Sequence, residues 1–180
     1  QFSSPTIIDI PFNNENFIRL FEKYVFPIHE KQIITKENKI FKQVETKLYP
    51  KIEKHVNLKV TLDNTVFKEL ISPVNIDFIG INKRQVVGQT LDFNKRKYYL
   101  ENDLMSYIAL SKIIDSQKNK KGHYFVVGKE PSKEDKINHL LWKNIYKGGL
   151  LEFVDIEETD KIIEYMENHD VQPYFSDKSE

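Results

Sequence analysis

Strand-like and helix-like hydrophobic patterns alternate along the second half of this chain. Residues 74–81 and 85–93 are rich in β-branched side chains, and the three polar residues between them predict a tight hairpin. The later pattern predicts a helix, a strand, a helix and a strand over 100–114, 123–127, 132–148 and 150–154. Strands separated by helices need crossover connections, which favour parallel pairing. An α/β fold with a mixed central sheet flanked by helices follows.

The first half of the chain reads mostly as helix. A helix capped by Asn13 or Asn14 is expected to continue to about Val25, and a second runs from about Lys36. The second helix carries one apolar face, formed by Ile40, Phe41, Val44 and Leu48. Alternating Leu58, Val60 and Leu62 then predict the first strand. With a last helix over 158–168, the 180 residues fit a single domain, with a core over about 12–168 and a polar C-terminal tail.

Composition narrows the class of protein. The chain has no cysteine, which excludes disulfides and thiolate metal sites and favours a reducing compartment, so we expect a cytoplasmic protein. No apolar run approaches the ~20 residues that span a bilayer, so no membrane partner is expected. The sequence also lacks a glycine-rich phosphate loop, a His-Glu-x-x-His motif and a Gly-x-Ser-x-Gly motif.

Charge is distributed unevenly although the net charge is zero. Ten acidic residues and two lysines lie between Leu151 and Glu180, a balance of −8, so the first 150 residues carry +8. One interpretation is a solvated acidic tail and a solvated basic remainder. Another is a basic face for an anionic partner, with the acidic end as a separate surface.

Acidic and polar residues on the hairpin suggest a metal site. Asp77 lies within the first strand, and Gln89 and Asp92 lie on the second. This arrangement, followed by a helix and another strand, resembles the PD-(D/E)XK nuclease superfamily, whose fold is restriction-endonuclease-like. The resemblance implies that acids on the two hairpin strands bind Mg²⁺, and that a lysine two residues after the second acid positions or activates the attacking water. Hard oxygen ligands would hold the metal, and the metal would stabilise charge on the phosphate.

The resemblance extends only in part to individual residues. It places Asp77 at the first acid, Gln89 at the second and Leu91 at the lysine. Gln89 is a weaker ligand than a carboxylate, and Leu91 cannot activate water. Asp92 is the alternative second acid, although it is shifted by three positions from Gln89, or by one from Leu91. A one-residue shift would place it on the opposite face of the strand.

Other residues can complete this hypothetical site. Glu69 is a candidate third acid, so the metal ligands implied are Asp77, Asp92 and Glu69. Lys95 or Lys97 can replace the missing lysine from the following loop. The helix segment from Asp103 to Tyr107 weakly resembles the Gln-x-x-x-Tyr signature of RecB-like members, whereas Tyr107 can equally be a core residue.

Basic and aromatic residues lie in the loops around the hairpin. Lys83 and Arg84 form the turn of the hairpin, and another basic group occupies residues 118–121. The loop after the second strand carries Arg96, Lys97, Tyr98 and Tyr99. Lysine and arginine can neutralise phosphates and tyrosine can stack on an unpaired base, so these residues are candidates for nucleic-acid binding.

Three functions therefore remain open. The first is a nuclease-like domain with Mg²⁺-dependent phosphodiesterase activity through Asp77, Gln89 or Asp92, and Lys95. The second is an inactive relative that only binds nucleic acid, which the missing lysine favours. The third is a protein-interaction or immunity-type domain that binds a protein partner through its acidic C-terminal region.

Overall fold

The computed structural model describes residues 30–118 and 121–175, with side chains at 39–117 and 121–175. The chain divides into compact units formed by residues 1–35 and 36–180. The helix expected near residues 13–25 and the tail beyond residue 175 lie outside the described residues. Everything below concerns the second unit, apart from the start of its first helix.

Five α-helices and six strands make up the described residues. The helices are α1 (Glu30–Lys47), α2 (Tyr49–Ile52), α3 (Lys97–Lys118), α4 (Lys136–Gly148) and α5 (Asp160–Asn168), with a 3₁₀ turn at Ile156–Glu158. The strands are β1 (Asn57–Leu62), β2 (Val74–Ile81), β3 (Gln85–Thr90), β4 (His123–Gly128), β5 (Glu152–Asp155) and β6 (Gln172–Pro173).

The strands form one mixed sheet in the order β1-β2-β3-β4-β5. Strand β2 pairs antiparallel with β1 and with β3. The crossovers through α3 and α4 make β3, β4 and β5 parallel. The predicted α/β class, with a hairpin leading into parallel strands, is confirmed.

Helices cover both faces of the sheet because each face carries its own apolar cluster. Helices α1, α2 and α5 cover one face, which we call the α1 face, through buried residues that include Val44, Leu48, Ile162 and Met166. Helix α3 covers the other face, the α3 face, with Leu100, Leu104, Leu110 and Ile114. The helical spacing predicted over 100–114 is confirmed by this burial.

Helix α4 does not bury all of its apolar residues. Ile145 is buried, whereas Ile137 and Leu140 are 52% and 57% exposed. The helix packs against β5, a four-residue strand at the edge of the sheet, which leaves little surface beneath it. Its end at residue 148 is confirmed, because Gly149 closes the helix in a left-handed conformation with φ 66°. Its start is at Lys136 rather than at residue 132, and Asp135 caps it.

A two-residue strand not anticipated from the sequence closes the fold. Strand β6 pairs with β2 beyond the end of β1, matching Pro173 with Gly80. The side chain of Asn57 fixes the next residues by donating to the Phe175 carbonyl at 3.2 Å and accepting from the Phe175 N–H at 2.8 Å. These bonds join two segments that are 118 residues apart in sequence.

Candidate functional site

The sheet opens around Asp77. Pairing between β2 and β3 runs from Ile81–Gln85 to Phe78–Gly88, so Asp77 and Gln89 lie one residue beyond its end. On the other side of β2, the residues before and after Asp77 pair with the residues after and before Lys59 on β1. Lys59 and Asp77 themselves are not paired. The side chain of Asp77 therefore lies where both neighbouring ladders are interrupted.

Lys59 is the distorted residue of β1. Its φ of 51° lies in the left-handed region, which lysine rarely adopts. Leu58 packs on the α1 face, whereas Val60 packs on the α3 face, although residues two apart in a regular strand share a face. Strand β2 makes the same change at Asp77, since Ile76 and Phe78 belong to opposite faces. The two strands thus change face together.

A cleft of about 230 Å³ lies at this opening. Its walls come from α1, α2 and three strands, with Phe41, Glu45, Tyr49, Lys59, Asn75, Ile76, Asp77 and Gln89 as lining residues. Asp77 and Gln89, both predicted as site residues, are brought together here. Glu45 and Lys59 were not anticipated, because a charged residue on the polar side of a helix or strand carries no signal of its own in a single sequence.

Burial dominates the electrostatics of Asp77. Removal from water raises the pKa of its carboxyl above the usual range, and this effect outweighs hydrogen bonding from Thr90 and Tyr49 and the nearby charge of Lys59, which lower it. The backbone N–H of Thr90 donates directly to the carboxylate. Burial therefore disfavours the charged form of Asp77, and a cation in the cleft would favour that form.

Glu45 and Lys59 form an ion pair at the mouth of the cleft. The Lys59 Nζ lies 2.5 Å from the Glu45 Oε1 and 5.9 Å from the centre of the Tyr49 ring. The Tyr49 side chain is buried, and desolvation together with the negative charge of Asp77 raises the pKa of its phenol. Tyr49 therefore stays neutral and can donate to the Asp77 carboxylate.

The oxygen atoms that line the cleft are of the types that hard cations prefer as ligands. Asp77 and Glu45 supply carboxylates and Gln89 an amide oxygen, whereas the Asn75 oxygen already accepts from Thr61 at 2.7 Å. Across the described residues, no three His, Asp or Glu side chains are grouped closely enough to hold a metal by themselves. Mg²⁺ commonly uses one or two carboxylates and completes its shell with water and substrate phosphate, so a cleft with two acids and an amide has ligands of the right type.

The remaining predicted acids lie outside the lining of the cleft. Asp92 is 4% exposed, and its Oδ1 accepts from the Asn94 N–H at 2.9 Å, which forms the turn after β3. Glu69 accepts from the Gln117 side chain. Leu91, at the position that the resemblance gives to lysine, is 1% exposed in the apolar cluster of the α3 face.

The loop before α3 approaches the cleft through Lys95. Its Nζ lies 5.8 Å from the centre of the Phe41 ring and 3.0 Å from Asp103 Oδ2. The Asn138 side chain donates to the carbonyls of Phe93 and Lys95, at 3.0 and 2.9 Å, and so fixes the loop.

The candidate nucleic-acid residues differ in exposure. Tyr98 and Tyr99 are 68% and 48% exposed and meet edge to face at 5.6 Å. Lys97 pairs with Glu101 at 3.5 Å, and Arg96 and Lys83 are exposed. Arg84 instead donates to the Tyr165 hydroxyl at 3.2 Å, on the packed side of the hairpin turn.

Tyr107 has a structural role in the described fold. Its side chain is 2% exposed, and its hydroxyl lies 2.9 Å from the Val87 carbonyl and 3.0 Å from the Phe125 carbonyl. The hydroxyl thus bonds the backbones of β3 and β4 from beneath the sheet. It does not line the cleft.

Several acidic residues of the C-terminal region are paired within the fold. Glu157 lies 2.6 Å from Lys47, Asp160 lies 3.1 Å from Lys51, and Glu167 lies 3.9 Å from Lys54. The acidic region and the basic first half therefore neutralise each other in part along α1 and α2.

Comparison with protein-family models, curated proteins and solved structures found no match. Among the described helices, none combines the length and apolar character needed to cross a membrane.

Proposed function

We propose that this domain is a restriction-endonuclease-like, Mg²⁺-dependent nuclease whose site is the cleft around Asp77. The observation that carries the proposal is the meeting of Asp77, Glu45, Gln89 and Lys59 in one opening of the sheet. The element order supports it, since a helix, an antiparallel hairpin, a crossover helix and a parallel strand follow the order of the PD-(D/E)XK superfamily.

The residues suggest a division of roles in phosphodiester hydrolysis. Asp77, Glu45 and the Gln89 amide would hold Mg²⁺, which when bound supplies positive charge to the reacting phosphate. A water oxygen bonds to phosphorus and the bond from phosphorus to the leaving oxygen breaks. One water proton passes to the leaving oxygen, and the other stays on the new phosphate or passes to solvent. The cleft residues orient these groups.

Nucleic acid would reach the cleft over the start of α3. Tyr98 and Tyr99, in the first turn of α3 rather than in a loop, are exposed beside Arg96 and Lys97, so this surface offers flat rings for bases and cations for phosphates. Asn138 holds the loop before α3 in place, which limits the entropy lost when a strand binds. The alternative of a protein partner at the acidic region has less support, because Glu157, Asp160 and Glu167 already have lysine partners.

Cleavage of labelled oligonucleotides tests the proposal. Single-stranded and duplex DNA and RNA are incubated with the full chain in Mg²⁺, in Mn²⁺ and in EDTA. We expect metal-dependent cleavage, reduced on the order of 100-fold or more in Asp77→Asn and in Glu45→Gln. Glu164→Gln, which alters an exposed acid of α5, is the matched control and should cleave normally.

Metal binding gives a second measurement that does not depend on turnover. Mg²⁺ or Mn²⁺ should raise the Tm of the wild type, because a ligand that binds only the folded state stabilises it. The increase should vanish in Asp77→Asn. Absence of cleavage, together with an Asp77→Asn variant that behaves as the wild type in both assays, would refute the nuclease. Salt-dependent binding without cleavage would instead identify an inactive relative.

A further inference from the structure

Strand β1 carries a lysine where its backbone conformation disfavours one. At φ 51°, Lys59 adopts a left-handed conformation that costs a non-glycine residue about 1–2 kcal/mol. Glycine or asparagine would adopt this conformation more readily. The backbone conformation therefore gives no reason for a lysine at this position.

Stability does not supply that reason either. The Lys59 and Glu45 side chains are 61% and 42% exposed, and exposed ion pairs add little to folding stability. The ammonium nevertheless pairs with Glu45 in the lining that also contains Asp77, and its charge lowers the pKa of Asp77. Its placement matters to the cleft more than to the fold.

The net charge of the residues that line the cleft determines how an anion is received there. Two carboxylates and one ammonium leave the lining with an excess of one negative charge, which repels an anion. The neighbouring cations are engaged elsewhere, since Lys95 pairs with Asp103 and Lys97 with Glu101. Leu91 is buried and apolar. Lys59 is the one cationic residue among those that line the cleft, and its side chain is 61% exposed.

We propose that Lys59 is the phosphate-binding residue of this cleft, and that it exchanges Glu45 for an oxygen of the phosphodiester when nucleic acid binds. The inference rests on the proposed function and names the contact through which its substrate is held. Ion pairing with Glu45 keeps the ammonium in place in the free protein. Transfer to phosphate releases Glu45 for a metal and forms a charge-assisted hydrogen bond to the substrate.

Oligonucleotide binding in EDTA tests the exchange without turnover. Fluorescence anisotropy over a range of salt is measured for the wild type, Lys59→Met, Lys59→Arg and Lys161→Met. The last is the matched control, because Lys161 is 60% exposed and pairs with Glu158. We expect Lys59→Met to weaken binding about tenfold or more and to reduce the salt slope by about 0.7. Lys59→Arg should retain most of the affinity, and Lys161→Met all of it.

An uncharged linkage in the oligonucleotide identifies the phosphate that Lys59 contacts. A methylphosphonate is placed at successive positions of the oligonucleotide, one at a time. Wild-type affinity should fall strongly at one position, and Lys59→Met should be insensitive at that same position. A lysine that merely supported the fold would not produce this position-specific loss.

The outcomes separate this inference from the proposed function. If the wild type cleaves and Lys59→Met binds with the same affinity and salt slope, the inference fails and the nuclease stands. If the wild type neither binds nor cleaves, both fail. Should Lys59→Met not fold, Glu45→Gln decides, because it releases Lys59 from its partner. Tighter binding by Glu45→Gln in EDTA supports the exchange, and unchanged or weaker binding overturns it.

Discussion

The carboxylate of Asp77 accepts a hydrogen bond from the backbone N–H of Thr90, at a point where the pairing of their strands has already ended. A side chain thus takes a position that a backbone carbonyl holds elsewhere in the ladder. This contact holds Asp77 at the opening in the sheet, where burial raises the pKa of its carboxyl.

The raised pKa of Asp77 predicts a pH-dependent stability. Because its folded-state pKa lies above the unfolded value, the native state binds more protons between the two values, and stability falls as pH rises through that interval. Asp77→Asn removes this penalty and keeps an acceptor for Thr90. We expect its Tm to exceed that of the wild type by about 2–4 °C at pH 7. The difference should shrink towards pH 4, as measured by calorimetry in metal-free buffer. An equal Tm difference at every pH would contradict the assignment.

Tyr107→Phe should destabilise the domain by about 1–3 kcal/mol, because it removes the buried hydrogen bonding of the hydroxyl to the carbonyls of Val87 and Phe125. Urea denaturation measures the change, and Tyr98→Phe, which removes an exposed hydroxyl, should be neutral. If Tyr107→Phe unfolds as the wild type does, the hydroxyl does not join the two strands.

Gly88 is required because Phe78 fills the space beside it. A Cβ at Gly88 would lie 1.9 Å from the Phe78 ring, which is fully buried and cannot withdraw. Gly88→Ala should cost about 1–3 kcal/mol or more, and less in a Phe78→Leu background. Gly148→Ala is the control, since its Cβ meets nothing within 4 Å. Equal costs in the two backgrounds would exclude this clash.

Tyr98→Ala should weaken binding of single-stranded nucleic acid by about 1–3 kcal/mol if a base stacks on its ring. Tyr146→Ala provides the comparison, because Tyr146 on α4 is exposed to a similar degree, 63% against 68% for Tyr98. Filter binding of the two variants, with thermal melts to confirm folding, gives the result. Equal affinity in both variants would exclude the first turn of α3 from the binding surface.

Periodicity predicted the order and direction of the central strands well. The β-branched run of β2 and the alternation of strands with helices beyond it depend on local patterns, and both are present in the structure. The alternation of Leu58, Val60 and Leu62 correctly predicted a strand, but it did not predict the change of face at Lys59. No propensity rule anticipates a left-handed lysine, since its conformation is imposed by the neighbouring strand and the cleft.

The candidate site was predictable only where acids interrupt an apolar run. Asp77 stood out among β-branched neighbours, and Gln89 followed from its place on the partner strand. Glu45 lies 32 positions before Asp77 on a helix whose pattern shows only which side is apolar. That such a residue reaches the same cleft depends on how α1 packs over the sheet, which one sequence does not reveal.

The two hydrogen bonds between Asn57 and Phe175 affect when the chain can finish folding during its synthesis. During translation, Asn57 leaves the ribosome long before the segment to which it must bind, and the outer side of β2 stays uncovered beyond β1 until Gln172 and Pro173 emerge. Closing so long a loop is entropically slow, so the nascent chain must wait with this edge open. Acquisition of the finished structure is therefore a late event, completed by residues that contribute nothing to the cleft.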